Sequence, residues 1–413
     1  MRTFGVEEEL LLVDPVTLHP LPLAQQAIEL HEHHGRQGRD ERFGASHQVT
    51  LELQQEQIEV VCPPQETLAG QLRAIRDGRG LAERVAAAIG GRTAALATAP
   101  FRIAPHPVVS DRYGRIRNQF GLTAREQLTC GFHVHVGIES RAEGVGVLDR
   151  IRTWLPTILA LSSNSAFCNG VDTGYNSYRY QAWSRWPTSG PGDLFGTEEE
   201  YDRHCLELLD SGVPLDEGML YFDARLSNHL PTLEVRIADV CMVVEHAAVI
   251  AAIIRALVET AARAWKAGQP PRGISTNTLR AWSWQASRWG LDHELVDPVT
   301  CRLEPADVVT AALLDLLRPV LVEYREYEEV TAVVEAMLRE GPGARRQRDI
   351  HARTGSLRDV VELALTTPRA TLLQTRPTLR ENLSFLAEPP GLPLSYSAFP
   401  APDDDGTIES KEA

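Results

Sequence analysis

Three short runs of this 413-residue chain alternate apolar residues with side chains that can bind metal or move protons. In Phe4-Gly5-Val6-Glu7-Glu8-Glu9-Leu10 the period of two puts Glu7 and Glu9 on one face of a strand and Glu8 on the other. In Phe132-His133-Val134-His135-Val136 both histidines share a face, with the apolar residues packing behind. Leu233-Glu234-Val235-Arg236-Ile237 repeats the pattern with Glu234 and Arg236. A fourth segment, Val49 to Val61, carries Glu52, Glu56 and Glu59. Glu52 and Glu59 are an odd number of residues apart, so a bulge or bend must separate them if both serve one site. Taken singly, each run has a plainer reading. Alternating glutamates are most often the solvated face of a sheet, and Glu234 with Arg236 is a cross-strand ion-pair set. Recurrence favours chemistry, because a face this rich in carboxylates repels itself unless cations bind there. A carboxylate-dominated set with histidine suits hard, oxygen-loving ions, Mg²⁺ or Mn²⁺, better than zinc. Such ions complete their shells with substrate phosphates.

The elements that must position these groups form an α+β pattern. Strands are expected over Thr3–Val13, Val49–Cys62, Thr93–Thr98, Glu126–Ile138 and Pro231–Val240. Helices are expected over Glu66–Ile89, Val145–Leu161, Thr197–Leu209 and Val243–Lys266, with a largely helical stretch from Thr278 to about Leu386. The expected architecture is one domain over residues 1–387, mainly an antiparallel sheet with helices packed on its outer face, followed by an acidic, proline-rich tail over 388–413 with a disordered composition. Between Phe167 and Asp193 the chain has no periodicity but is rich in Tyr, Trp, Ser, Asn and Arg, which reads either as a functional loop or as one packed by its own aromatics.

Composition narrows the function. The charge sum is 41 − 56 = −15, which disfavours nucleic acid and anionic membrane as partners. Only Lys266 and Lys411 are lysines, which excludes a P-loop and its phosphate-reaching lysine. Any phosphate is therefore left to arginine, backbone amides or metal. Six scattered cysteines without a C-x-x-C pair read as the reduced thiols of a cytoplasmic protein, and no signal peptide is expected. The apolar stretch Val249–Val258 is interrupted by Arg255 and is too short to span a bilayer. A homodimer is the default assembly.

At these residues the chain resembles the glutamate–cysteine ligase type 2 family, carboxylate–amine ligases of the glutamine synthetase superfamily. The resemblance is carried by Gly5-Val6-Glu7-Glu8-Glu9 with Asp14-Pro15, and by Cys130-Gly131-Phe132-His133-Val134-His135-Val136-Gly137. It continues through Asp172-Thr173-Gly174-Tyr175, Ser177-Tyr178-Arg179, Thr232-Leu233-Glu234-Val235-Arg236 with Asp239, and Arg288-Trp289-Gly290-Leu291, in order over nearly all of Thr3–Leu386. It implies a glutamine synthetase-like catalytic domain with a sheet-floored site holding ATP through Mg²⁺, with Mn²⁺ as the other candidate ion. It further implies Glu7, Glu9, Glu59, His133 and Glu234 as metal ligands and Arg236 and Arg288 as nucleotide-binding groups. Tyr175, Ser177 and Arg179 are implied as substrate-binding residues, with Glu52 and Arg236 acting in catalysis. Gln285 stands where family members often carry a basic residue, and His135 departs from more distant relatives.

The expected reaction joins a small carboxylate substrate, the side chain of glutamate, to cysteine or another amine through an acyl phosphate. Two rival readings use the same face: a metal-dependent hydrolase and a non-catalytic nucleotide-binding protein.

Overall fold

The computed structural model describes residues 1–37 and 47–366. Its centre is a seven-stranded, wholly antiparallel sheet. The strands are β1 (Phe4–Val13), β2 (Gln48–Leu51), β3 (Gln57–Val61), β4 (Arg92–Ala94) and β5 (Gly131–Gly137), followed by β8 (Ala224–Leu226) and β9 (Thr232–Asp239). Two small hairpins lie outside the sheet: β6 (Phe167–Cys168) with β7 (Val171–Asp172), and β10 (Glu294–Asp297) with β11 (Arg302–Pro305). The order is β2-β3-β1-β5-β9-β8, with β4 also pairing with β1.

Register converts the alternation into two faces. Glu8 pairs with Val60 and Phe132, and Val6 with Val134, so these side chains share the face covered by helices. Glu9 pairs with Glu59 and Glu7 with His133, so the metal-competent residues share the opposite face. His135 pairs with Glu234, and the register of β5 against β9 shifts between Phe132 and Val134. That bulge sets two β9 residues, Arg236 and Ile237, opposite the single β5 residue His133.

The helix-covered face is the main core. Phe4, Val6, Ile58, Val60, Phe132, Val134, Leu233 and Val235 are all buried there. Helix Leu68–Ala88 is capped by the Thr67 hydroxyl, which accepts from the Gly70 N–H, and it buries Leu68, Ile75, Ala82 and Val85 at helical spacing. The 23-residue helix Val244–Lys266 is buried along most of its length. Arg255, the charge that interrupts its apolar run, is fully buried between the rings of Phe4 (4.2 Å) and Tyr324 (4.6 Å) and pairs with Glu326. No helix among the described residues is long and apolar enough to cross a membrane.

Several expected bounds shift. The strand read over Val49–Cys62 is a hairpin, β2 and β3 joined through residues 52–56. The helix read over Val145–Leu161 is two, Arg141–Ile151 and Leu155–Ser162, with Pro156 in the first turn of the second. The aperiodic segment from Phe167 contains the helix Tyr178–Trp183. Beyond Thr278 the helical stretch is interrupted by the β10–β11 hairpin, and its end after residue 366, together with the proposed tail, lies outside the described residues.

Candidate active site

The polar face of the sheet floors a cavity of about 840 Å³, lined among others by Glu7, Glu9, Glu52, Glu59, His133, His135, Glu234 and Arg236. Strand pairing alone brings β1, β3, β5 and β9 together here. His133 Nδ1 lies 3.3 Å from Glu7 Oε2 and 4.0 Å from Glu234 Oε1, and its Nε2 lies 3.9 Å from Glu9 Oε1. Two groups of three candidate ligands follow, Glu7–His133–Glu234 and Glu9–Glu59–His133, in each of which the donor atoms lie within 4.8 Å of one another. An octahedral ion with ligands at ~2.1 Å sets neighbouring ligands ~3 Å apart and opposite ones ~4 Å apart. The donor set and spacing fit a small, hard divalent cation. His135 adds its Nε2, 3.3 Å from Glu7 Oε1, while its Nδ1 meets the Thr232 hydroxyl at 3.0 Å.

The electrostatics of the face point the same way. Burial, then the charge of Glu9, pushes the Glu52 carboxyl up to about 8. Glu59 is pushed well above the carboxylate range by burial and then by Glu52 and Glu7, although the Thr50 hydroxyl donates to it at 2.9 Å. Burial opposes ionisation of Glu7, but its hydrogen bonds with His133 and His135 outweigh it and hold that carboxyl low. At Glu234 burial is outweighed by Arg236 and Arg225, and the carboxyl falls to about 2. Arg225 Nε donates to Glu234 Oε2 at 2.7 Å, and Arg236 pairs with the other oxygen. The face is thus graded: two guanidiniums are fixed on Glu234, while at Glu52 the pull of Arg236 is outweighed by burial and Glu9.

This grading predicts a proton–metal linkage. Unfolded Glu52 ionises near the ordinary glutamate value of 4.5 and folded Glu52 at about 8, so the metal-free protein should lose stability as pH rises through that window. A divalent cation reverses the penalty by favouring the ionised form. The unfolding temperature with excess Mg²⁺ should therefore pull away from that in chelator as pH rises from about 5 to about 8. A constant gap between the two curves would refute the linkage.

Glu52 and Glu59 reach one cavity because the hairpin turn lies between them. Glu56 does not join them; it is buried and accepts from the His106 N–H and ring nitrogen. Arg179 lies behind the floor, donating to the Ile237 and Arg236 carbonyls and 4.0 Å from Asp239. Its guanidinium packs so closely on Gly131 that a Cβ there would collide with it and with His133. The Gly131 N–H in turn donates to Glu9 Oε2 at 2.6 Å, so this glycine fixes the Glu9 carboxylate.

The structure does not bring Tyr175, Ser177 or Arg288 to the cavity wall. The Ser177 hydroxyl is fully buried, donates to Asp239 and accepts the Tyr180 N–H that caps its helix, which leaves no face for a substrate. Arg288 stacks over Trp289 (4.1 Å) and Tyr175 (5.4 Å). Arg112, Tyr113, Tyr221 and Arg225 line the cavity and were not legible as site residues. Arg225 lies on a three-residue strand, too short for alternation to reveal.

The model of the glutamate-cysteine ligase family 2 matches residues 3–363. The chain belongs to this family. A Paenarthrobacter aurescens relative named glutamate–cysteine ligase 2-1 is 50% identical over 366 residues, covering 88% of this chain and 94% of its own. Among solved structures, a bifunctional glutathione synthetase from Pasteurella multocida aligns over 88% of this chain and 52% of that one, at 14% identity and a TM-score of 0.63. A glutamate–cysteine ligase from Francisella tularensis in complex with AMP aligns over 91% and 89%, at 12% identity and a TM-score of 0.59. At such identities the likeness is one of fold. Family membership makes the chain an ATP-dependent ligase of the carboxylate–amine class.

Proposed function

We propose that the two ligand triads sharing His133 hold divalent cations, Mg²⁺ foremost and Mn²⁺ as a substitute, against which ATP donates its γ-phosphoryl group to a substrate carboxylate. The observation that carries this reading is the pair of triads on the floor of one cavity, graded from guanidinium to carboxylate. The names of the relatives support glutamate as the acid and cysteine or another amine as its partner. A bound cation would neutralise phosphate charge and draw the reacting oxygens into line.

The chain's own residues supply the rest. Arg236 and Arg225, fixed on Glu234, meet the phosphates. A side-chain carboxylate oxygen attacks the γ-phosphorus, the bond to ADP breaks, and an acyl phosphate forms. The amine nitrogen attacks the acyl carbon, the C–O bond to phosphate breaks, and phosphate leaves with the electron pair. Glu52, its carboxyl raised by burial and Glu9, takes the amine's proton. Arg179, Ser177 and Gly131 hold β5 and β9 in place beneath the ligands, and Tyr175 and Arg288 hold the loop outside.

Phosphate release from ATP should require Mg²⁺, glutamate and an amine together. Release from ATP that is indifferent to both organic substrates would contradict the ligase reading, as would amide hydrolysis without ATP.

A further inference from the structure

The two triads leave one cavity-lining imidazole out. His135 lies two residues beyond His133 on β5, so the period of two sets both rings on the cavity face. Its Nε2 is fully buried and makes no well-formed hydrogen bond, although it stands 3.3 Å from Glu7 Oε1 and 3.9 Å from Glu234 Oε1. A buried polar atom without a partner, aimed at two carboxylates, calls for a cation between them.

The two histidines are placed alike about the same pair of glutamates. His133 Nδ1 lies 3.3 Å from Glu7 Oε2 and 4.0 Å from Glu234 Oε1. His135 Nε2 repeats those distances to the other Glu7 oxygen and to the same Glu234 oxygen. Separations of ~3 Å and ~4 Å are those of neighbouring and opposite donors around one small octahedral ion. Glu234 Oε1 also pairs with Arg236, and a carboxylate oxygen keeps a second lone pair for an ion. On the far side of the His135 ring, Nδ1 meets the Thr232 hydroxyl at 3.0 Å. A proton on Nδ1, accepted by that hydroxyl, leaves the Nε2 lone pair facing the glutamates.

Resting on the reading that cations bind this face, we infer that His135 is a further metal ligand. With His133, Glu7 and Glu234 it makes a site of two imidazoles and two carboxylates that takes a first-row divalent ion such as Mn²⁺ in preference to Mg²⁺. Imidazole adds affinity for transition ions, whereas Mg²⁺ favours oxygen and gives up its water reluctantly. A neutral ring has one lone pair, so His133 committed through Nδ1 cannot also ligate through Nε2. The Glu9–Glu59 side is then a carboxylate site, suited to Mg²⁺. The face would hold two ions of different kinds.

The test adds Mn²⁺ to metal-free protein at less than one equivalent, with no nucleotide or substrate. Electron paramagnetic resonance of free Mn²⁺, with Mg²⁺ as competitor, gives the ratio of the two affinities. Electron spin-echo envelope modulation counts the nitrogens bound to Mn²⁺. The wild type should prefer Mn²⁺ by ~10-fold or more and show two imidazole nitrogens. His135→Gln should show one nitrogen and lose on the order of 10- to 100-fold in Mn²⁺ affinity, with Mg²⁺ affinity changed far less. A ratio measured on one preparation does not depend on how much of it is folded. The inference is overturned if the wild type shows a single nitrogen, or if His135→Gln keeps two. Equal losses for both ions overturn it as well, since they mark a structural role. Weakened ATP binding by His135→Gln with Mn²⁺ binding intact also overturns it and makes His135 a phosphate donor. Wild-type protein that binds no Mn²⁺ overturns both this inference and the cation reading. Because no substrate is present, failure of amide formation would leave the metal result standing.

Discussion

Glu7→Gln is expected to lower Mg²⁺-dependent phosphate release by on the order of 1000-fold while the protein stays folded. Glu7 stands between two histidines, 3.3 Å from each, and belongs to the triad with Glu234. Glutamine keeps its length and one carbonyl oxygen but removes the charge that a hard cation needs. The fold should not suffer, because this carboxylate is only partly buried and faces other carboxylates. Isothermal titration should show that Mg²⁺ no longer tightens ATP binding. Retention of wild-type turnover would remove Glu7 from the metal site.

The next residue should behave in the opposite way. Glu8→Gln is expected to cost about 3–5 kcal/mol of folding stability, the range for breaking a buried ion pair by removing one partner. Glu8 is fully buried on the helix-covered face and accepts from Arg79 Nε at 2.9 Å and from a second Arg79 nitrogen at 2.6 Å. Arg79 also donates to the Cys241 carbonyl at 2.6 Å, so the pair ties helix Leu68–Ala88 and β1 to the chain leaving β9. The substitution leaves that guanidinium buried without its counter-charge. Urea unfolding measures the loss, and a change below about 1 kcal/mol would show that the pair is not a structural tie. A companion Glu8→Leu/Arg79→Met protein should recover much of the stability, because neither charge then remains to be desolvated.

This contrast between neighbours was legible in the sequence, because period-two alternation separates Glu7 and Glu9 from Glu8 before any partner is known. The same alternation placed His133 with His135 and Glu234 with Arg236. What it could not supply was register. Glu7 and His133 are 126 residues apart, and only the pairing of β1 with β5 makes them neighbours. The bulge in β9 beside His133 has no turn residue to announce it. The odd spacing of Glu52 and Glu59 correctly demanded a bend, which proved to be a whole hairpin turn. In the loop after Phe167, Ser177 and Tyr175 have side chains suited to a substrate, and only the structure shows that the Ser177 hydroxyl is set against Asp239. The β10–β11 hairpin was hidden because its four-residue strands lie inside a long helical pattern. Tyr113, on a mostly polar helix, and Tyr221, beside a short strand, gave no signal of a shared wall.

On the proposed mechanism a substrate carboxylate, activated on this face, receives the phosphoryl group of ATP. The most direct measurement is oxygen-18 transfer: glutamate labelled in its side-chain carboxylate, Mg²⁺–ATP and a turning-over amine are incubated with the protein, and the released phosphate is analysed by mass spectrometry. An acyl phosphate passes one labelled oxygen to each phosphate when its C–O bond breaks, so the account predicts one oxygen-18 per phosphate released. Phosphate released in step with amide formation but free of label would contradict it.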